Sequence, residues 1–489
     1  MTFLLLHLGV ALLRREAVVS DPGIGWHLAT GRLILATGTL PRVDPFSFTA
    51  AGRPWINYYW LFEIVSALCE RVGGLVFFAA VWTVVYGLIP VVMYRNAIRA
   101  GASPLAALPV TLAAYAVLVS HAFARPHVVT YLFFAVVVGC IGDVVRDRRT
   151  VRSLWWLPVM MTLWVNMHGG FLSGLWAVAV AAAASAAHGL VARDRAELGR
   201  AGRLGGLLIA MAIASLANPW GYHLHVQAVE HLGLPSTGYF GEFQSPNFRD
   251  GGGPVKTFEL LALALTGAGL LGVVQTTWVD IALAVGTLHL ALTAVRNMNL
   301  FVIVAAPRLA CAVTGLVRAR WPRVDARWSE IASEQEARGP WVQAAAIASL
   351  WLAVGLAGRL PFPTSLVGVR LTDGAAAYIA DHPEGFGRAF NQDSFGGVLI
   401  DRFWPTVHVF VDDRSSVVYG EDFMMNDYIR VFRVRAGWED VLDRWAITAA
   451  ILATGTPCEI LLRASPRWRV EYADDRNVIF ARVGAAPGS

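Results

Sequence analysis

Eight side chains in the sequence are of types that could do chemistry together: Asp21, His27, Arg125, His127, Asn166, His168, Glu242 and Arg296. A carboxylate such as Asp21 can take the proton of an attacking hydroxyl. Arginine forks such as Arg125 and Arg296 match the shape and charge of a departing phosphate. His27, His127, His168 and Asn166 can hydrogen-bond a phosphate or a sugar, and Glu242 can orient a hydroxyl. Each residue also has a plainer reading. Asp21 before Pro22 is an ordinary helix start, with Asp as the cap and Pro at the first helical position. His27 suits a helix surface at a membrane interface. Arg125 before Pro126 suits snorkelling to lipid headgroups. His168 before Gly169 and Gly170 fits a sharp turn, and Asn166 fits a helix cap. Glu242 lies in the Gly-flanked segment GYFGEFQSPNF, which reads either as a lid over a substrate or as a solvated loop.

The elements that must position these residues are membrane spans. The chain has 489 residues, 56% of them hydrophobic and only 15% charged, with a mean hydropathy of +0.52. Apolar runs of about 18 residues or more read as spanning helices, so a soluble enzyme is excluded. Runs at 1–13, 74–94, 103–121, 127–144, 154–168, 171–191, 204–217, 256–275, 278–294, 298–317 and 340–358 give about eleven expected spans. The first lacks a basic leader and a small-residue cleavage site, so it reads as an uncleaved span. The net charge of +5 reflects arginines in short loops, not a grip on nucleic acid. Arg95/Arg99, Arg146/Arg148/Arg149/Arg152, Arg193/Arg195/Arg200/Arg203 and Arg318/Arg320/Arg323/Arg327 fall in alternate loops. The positive-inside rule puts these in the cytoplasm, with the N-terminus inside and the C-terminal part outside. All eight chemical residues then sort to the outer side, together with Arg42, Asp44, Asn57, Asn218, His223, His225 and Asn297. Residues kept only for local structure have no reason to sort that way.

The outer loops at 15–73 and 218–255 are long. In the first, one helix is expected from Pro22 to just before Gly38. A second, Asn57 to Val72, puts Trp60, Leu61, Ile64, Val65 and Leu68 on one face and Glu63, Glu70 and Arg71 elsewhere, as in an amphipathic interfacial helix. Asp44, in VDPFS, reads as a turn former. Residues 1–360 thus form a multi-span part, and 361–489 a small soluble α/β domain on the outer face. In that domain 407–413, 446–455, 468–472 and 477–483 read as strands, and 374–382 and 437–445 as helices. Asp412, Asp413 and Arg414, at a strand end, read as a turn or a domain contact. Cys69, Cys140, Cys311 and Cys458 are scattered, with neither a disulfide framework nor a zinc pattern. His223, His225 and His231 lack a metal-ligand spacing.

The segment SDPGIGWHLATGRLILATGTLPRVDPFSFTAAGRPWINYYWLFE (20–63) resembles the first external loop of GT-C glycosyltransferases, in the style of aminoarabinose transferases and protein O-mannosyltransferases. RPH (125–127), WVNMHGGF (164–171) and ANPWG (217–221) extend the resemblance. It implies a polyprenyl-phosphate sugar as donor and Asp21 as the catalytic acid residue, with a glycan, lipid or protein hydroxyl as acceptor. Many members carry a second acid close by, whereas here Pro22 and Gly23 follow Asp21. No cofactor is expected, and the pattern does not support a divalent metal. Three other functions compete: a flippase or transporter of a lipid-linked saccharide, an enzyme of another class on the same face such as a polysaccharide ligase or polymerase, and a non-catalytic envelope-assembly protein. Transporters place ionisable residues near mid-membrane, whereas Asp143, Glu259 and Asp280 lie at span ends.

Overall fold

The computed structural model describes residues 2–231, 233–273, 275–338 and 362–484. It is mostly helical. Helix α1 (Thr2–Leu13) leads into the first long loop, which carries α2 (Ile24–Thr37) and then α3 (Trp60–Ala100). The bundle continues with α4 (Pro104–Leu118), α5 (His127–Val144), α6 (Leu157–Val165), α7 (Leu172–Val191) and α8 (Arg195–Ser215). It closes with α9 (Gly253–Leu270), α10 (Trp278–Thr293), α11 (Met298–Arg320) and α12 (Pro322–Arg338). Among the described residues, six helices are long and apolar enough to cross a membrane: Trp60–Ala100, Pro104–His121, His127–Val144, Gly169–Val191, Arg195–Ser215 and Val295–Arg320. The expected spans at 1–13, 154–168 and 278–294 form shorter helices of 12, 9 and 16 residues. At about 1.5 Å rise per residue, a nine-residue helix covers about half of a bilayer core. The expected span at 340–358 lies outside the described residues. Helix α11 is the bundle's centre, buried without a break from Met298 to Ala310.

Helices form at both places expected in the first loop, although the first is buried from Ile24 to Gly31. The first ends on Gly38, whose φ of 67° gives the left-handed cap that favours glycine. The second begins at Trp60 and runs into the next span through a break at Gly73 and Gly74. Glycine carries the break because Gly74 sits at φ 67°. The helix presents its apolar stripe outward, with Leu68 43% exposed, while Glu63 is fully buried. The sequence pattern of this helix therefore marks its outer side, and Glu63 belongs to the interior.

The C-terminal part is a small α/β unit. Its sheet has the order β1 (Ala389–Asn391), β2 (Ala449–Ala453), β4 (Asn477–Arg482), β3 (Trp468–Ala473), with β1 parallel to β2 and the other pairs antiparallel. Helices α13 (Asp373–Asp381), α14 (Asp393–Phe403) and α15 (Trp438–Arg444) pack around it. Strands are found within 446–455, 468–472 and 477–483 as expected, but 407–413 is not a sheet strand. Val409 instead forms an isolated bridge with Ser47 of the first loop. Val407, Val409, Phe410 and Val411 are all buried, so this apolar run is the seam between the unit and the loop. Thr49 Oγ1 donates to the Phe410 carbonyl at 2.6 Å, and Trp404 Nε1 donates to the Pro45 carbonyl at 2.9 Å. Asp44 does form a turn, accepting from the Phe46 and Ser47 amides, and also accepts from Arg414 at 2.7 Å. Arg414 is held by Asp412 as well, at 2.6 Å, with all three side chains buried. The expected contact therefore exists: Arg414 crosses to Asp44 of the first loop, with Asp412 holding it from its own side, and Asp413 accepts from Trp26.

Candidate functional site

A cavity of about 460 Å³ lies where the first loop, the ends of the bundle helices and the C-terminal unit meet. Asp21, His27, Arg125, His127, His168, Glu242 and Arg296 all line it. They come from five separate stretches of chain. All sit at one end of the bundle, while the arginine-rich loops lie at the other end of the same helices.

Asp21 is not the helix cap expected of it: the helix starts at Ile24 with Gly23 at the cap position and no side-chain cap, and Asp21 instead closes the turn ahead of it. Its Oδ1 accepts from the Gly23 amide at 2.8 Å, which shapes the entry to α2. Its Oδ2 faces the cavity and accepts from Arg125 Nη1 at 3.0 Å. The other arm of the fork, Nη2, donates to Asp413 at 3.1 Å. Asp413 also accepts from Trp26 Nε1 at 2.7 Å. Backbone pairing fixes the Arg125 loop, since the Ala124 amide donates to the Val18 carbonyl at 3.0 Å. Burial raises the Asp21 carboxyl above the usual range, with Arg125 pulling the other way. Burial likewise pushes Asp413 up to about 7, with Asp21 and Asp412 adding to the shift and Arg125 opposing it. Burial disfavours the Arg125 cation, but Asp21, Asp413 and Glu242 overcome this and hold it above its ordinary value.

The histidines are oriented by hydrogen bonds, which assign the tautomers of His127 and His168. His27 Nδ1 is in hydrogen-bond contact with Glu63 at 3.1 Å, and Asn57 donates to the other Glu63 oxygen at 2.5 Å. Burial, followed by Arg125, keeps His27 far below the ordinary histidine value. His127 Nε2 donates to the His121 carbonyl at 2.7 Å. His168 Nδ1 accepts from the Gly170 amide at 3.0 Å and meets Thr130 Oγ1 at 2.7 Å. Trp164 Nε1 donates to that hydroxyl, so Thr130 donates onward to His168 and the ring proton stays on Nε2.

Glu242 and Arg296 form a looser wall. Their closest approach is 3.5 Å, with side chains 40% and 32% exposed. Arg296 also lies over the Phe243 ring, 4.5 Å from its centroid. Desolvation works against the Glu242 anion, but Arg296 and Arg125 prevail and lower its carboxyl below the usual value.

Asn166 is not part of this site. Its amide nitrogen donates to the Thr162 and Ala217 carbonyls, and its oxygen accepts from Trp60. It fastens three segments together, so the binding role expected for it is replaced by a structural one. Asn218 likewise serves its own turn, and Arg42 lies over Trp220. The cavity also holds residues that sequence reasoning did not select: Trp26, Tyr58, Tyr59, Arg370, Asp393 and Asp413. For Asp413 the available signal was a run of charge, DDR, inside the apolar stretch VHVFVDDRSSVV. Among the described residues no group of three or more His, Cys, Asp or Glu side chains is placed to hold a metal ion.

No protein-family model matches the chain, and no curated protein matches it closely enough to be reported as a relative. Among solved structures, the chain is similar to ArnT from Cupriavidus metallidurans bound to undecaprenyl phosphate, at 14% sequence identity and a TM-score of 0.47, covering 98% of this chain and 98% of that one.

Proposed function

We infer that this protein is a membrane glycosyltransferase that moves a sugar from a polyprenyl-phosphate donor to an acceptor hydroxyl on the outer face of the membrane. The observation that carries this reading is the convergence of Asp21, Arg125, His168, Glu242 and Arg296 on one cavity. A base and two phosphate-matching cations around a hollow are what a single displacement at an anomeric carbon requires. Asp21 takes the proton of the acceptor hydroxyl. The hydroxyl oxygen attacks the anomeric carbon, the bond from that carbon to the phosphate oxygen breaks, and the phosphate leaves with the electron pair. One displacement inverts the anomeric centre. The raised Asp21 carboxyl supports this role, since a base works best when its pKa approaches the working pH. Arg296, half-exposed and weakly paired, is the cation readiest to meet the phosphate. Arg125 is already engaged by Asp21 and Asp413 and joins by sharing its fork.

The test is to incubate purified protein with a panel of labelled polyprenyl-phosphate sugars and a membrane extract, comparing wild type with Asp21→Asn. Transfer by wild type and loss of transfer in the variant supports the reading. Equal transfer by both removes Asp21 from the chemistry.

A further inference from the structure

At the end of the bundle opposite the cavity, α3, α5, α10 and α11 frame a second, smaller pocket. It is lined by Asn96, Asp143, Arg146, Arg148, Asp280 and Arg308, among others, and holds about 40 Å³. That is space for about three water-sized spheres.

Charge at this pocket is out of balance. Asp280 Oδ2 accepts from Arg146 at 2.5 Å and from the Thr277 hydroxyl and amide at 2.9 Å. Arg308 approaches that same occupied oxygen only to 3.9 Å, with its side chain 9% exposed. Among the described residues it makes no hydrogen bond. Asp143 is flanked by Arg149 at 3.5 Å and Arg99 at 3.7 Å. Arg148, exposed at the pocket mouth, has no carboxylate within ion-pair distance among the described residues. Three guanidiniums (Arg146, Arg148 and Arg308) therefore line the pocket against two carboxylates, Asp143 and Asp280, and Asp143 is already paired from outside the pocket by Arg99 and Arg149. A buried cation short of acceptors is costly. Its fork is suited to phosphate oxygens, and basic pockets between spanning helices suit anionic lipid headgroups.

We propose that this pocket binds a phosphate group, with Arg308 as the buried anchor and Arg148 as the outer contact. The group belongs either to an anionic phospholipid headgroup or to a soluble phosphate. The site is separate from the cavity and does not depend on the glycosyltransferase reading.

The experiment follows thermal unfolding of purified protein in a neutral detergent. Dihexanoyl phosphatidylglycerol, dihexanoyl phosphatidylcholine and inorganic phosphate are titrated in turn at matched ionic strength. A saturable rise in midpoint with phosphatidylglycerol but not phosphatidylcholine is expected, with the half-saturating concentration raised about tenfold by Arg148→Gln. Arg308→Gln should abolish the response. If that variant does not fold, Arg148→Gln decides alone, because its side chain is exposed. Arg469→Gln, on β3 and away from both pockets, should keep the full response. A saturable response to inorganic phosphate that is sensitive to Arg148→Gln identifies the soluble source and equally supports the site. No response to either phosphate form, equal responses to both lipids, or a response unchanged in Arg148→Gln would overturn the proposal.

Discussion

Asp413 accepts a hydrogen bond from Arg125 at 3.1 Å across 288 positions of sequence. The C-terminal unit therefore contributes a carboxylate to the wall of the cavity rather than hanging beside the bundle. Arg125 holds Asp21 on its other arm, so one cation is divided between an acid from the first loop and an acid from the far end of the chain. Any phosphate that reaches Arg125 competes with Asp413 for it.

This sharing makes stability depend on pH in a definite direction. An aspartate in the unfolded chain titrates near 3.9, while burial pushes Asp413 up to about 7 in the fold. Between about pH 4 and 7 the folded protein holds a proton here that the unfolded chain has released, so this group's contribution to stability falls as pH rises. Asp413→Asn removes it. The expected result is that the variant gains on wild type in unfolding midpoint as pH is raised from about 4 to 7 in detergent. A constant difference across that window would show that Asp413 does not titrate there.

The two arginines of the cavity should fail differently. Arg125→Gln leaves Asp21 and Asp413 facing each other in a buried site, at a cost of about 3–5 kcal/mol in stability. Arg296→Gln breaks only a long, half-exposed pair and should cost less than about 1 kcal/mol. On the proposed function, its effect falls on catalysis. Loss of a charged hydrogen bond to a leaving phosphate should lower kcat/KM by about ten- to a hundredfold. Unfolding midpoints and single-substrate kinetics on the same preparations separate the two. Normal kcat/KM in Arg296→Gln would remove that side chain from the reaction.

Asn166→Ala gives the opposite pattern. Three segments lose hydrogen bonds to this buried amide, so stability should fall by about 1–3 kcal/mol. Turnover per folded molecule should hold, because the side chain does not line the cavity. A fall in turnover at full occupancy of the fold would return Asn166 to the site.

What could be read in the sequence followed from charge and hydropathy, which act locally. Alternating arginine loops ordered the helices, and that order brought Asp21, Arg125, His168 and Arg296 to one end before any geometry was known. What could not be read depended on long-range pairing. Asp413 reaches the cavity through long-range pairings of the C-terminal unit with the first loop, such as Val409 with Ser47 and Arg414 with Asp44, and no periodicity within 407–413 distinguishes a sheet strand from that seam. Glu63 has the same difficulty. Its position on the helix suggested a polar surface, and only the approach of His27 and Asn57 makes it an interior partner. Asn166 was misread because a buried amide that ties loops together and one that holds a ligand look alike in sequence.

The seating of the C-terminal unit on the first loop rests on two glycines. A Cβ on Gly25, in α2, would lie 2.0 Å from the Gly397 carbonyl oxygen, and a Cβ on Gly397, in α14, would lie 1.9 Å from the Pro22 carbonyl oxygen. Backbone meets backbone here, so no flexible side chain can yield. Pro22 adjoins Asp21, so the strain falls directly on the carboxylate beside Arg125. Gly397→Ala should destabilise the protein by about 1–3 kcal/mol through overpacking and should also reduce transfer by displacing Asp21 and Asp413 relative to each other. Gly205→Ala, in α8, is the control: nothing lies within 4 Å of its Cβ, so stability should stay level or rise by about 0.4–1 kcal/mol. Parallel unfolding and transfer assays on the two variants decide the matter. Equal behaviour of Gly397→Ala and Gly205→Ala would mean that the unit is not held against the loop by this contact.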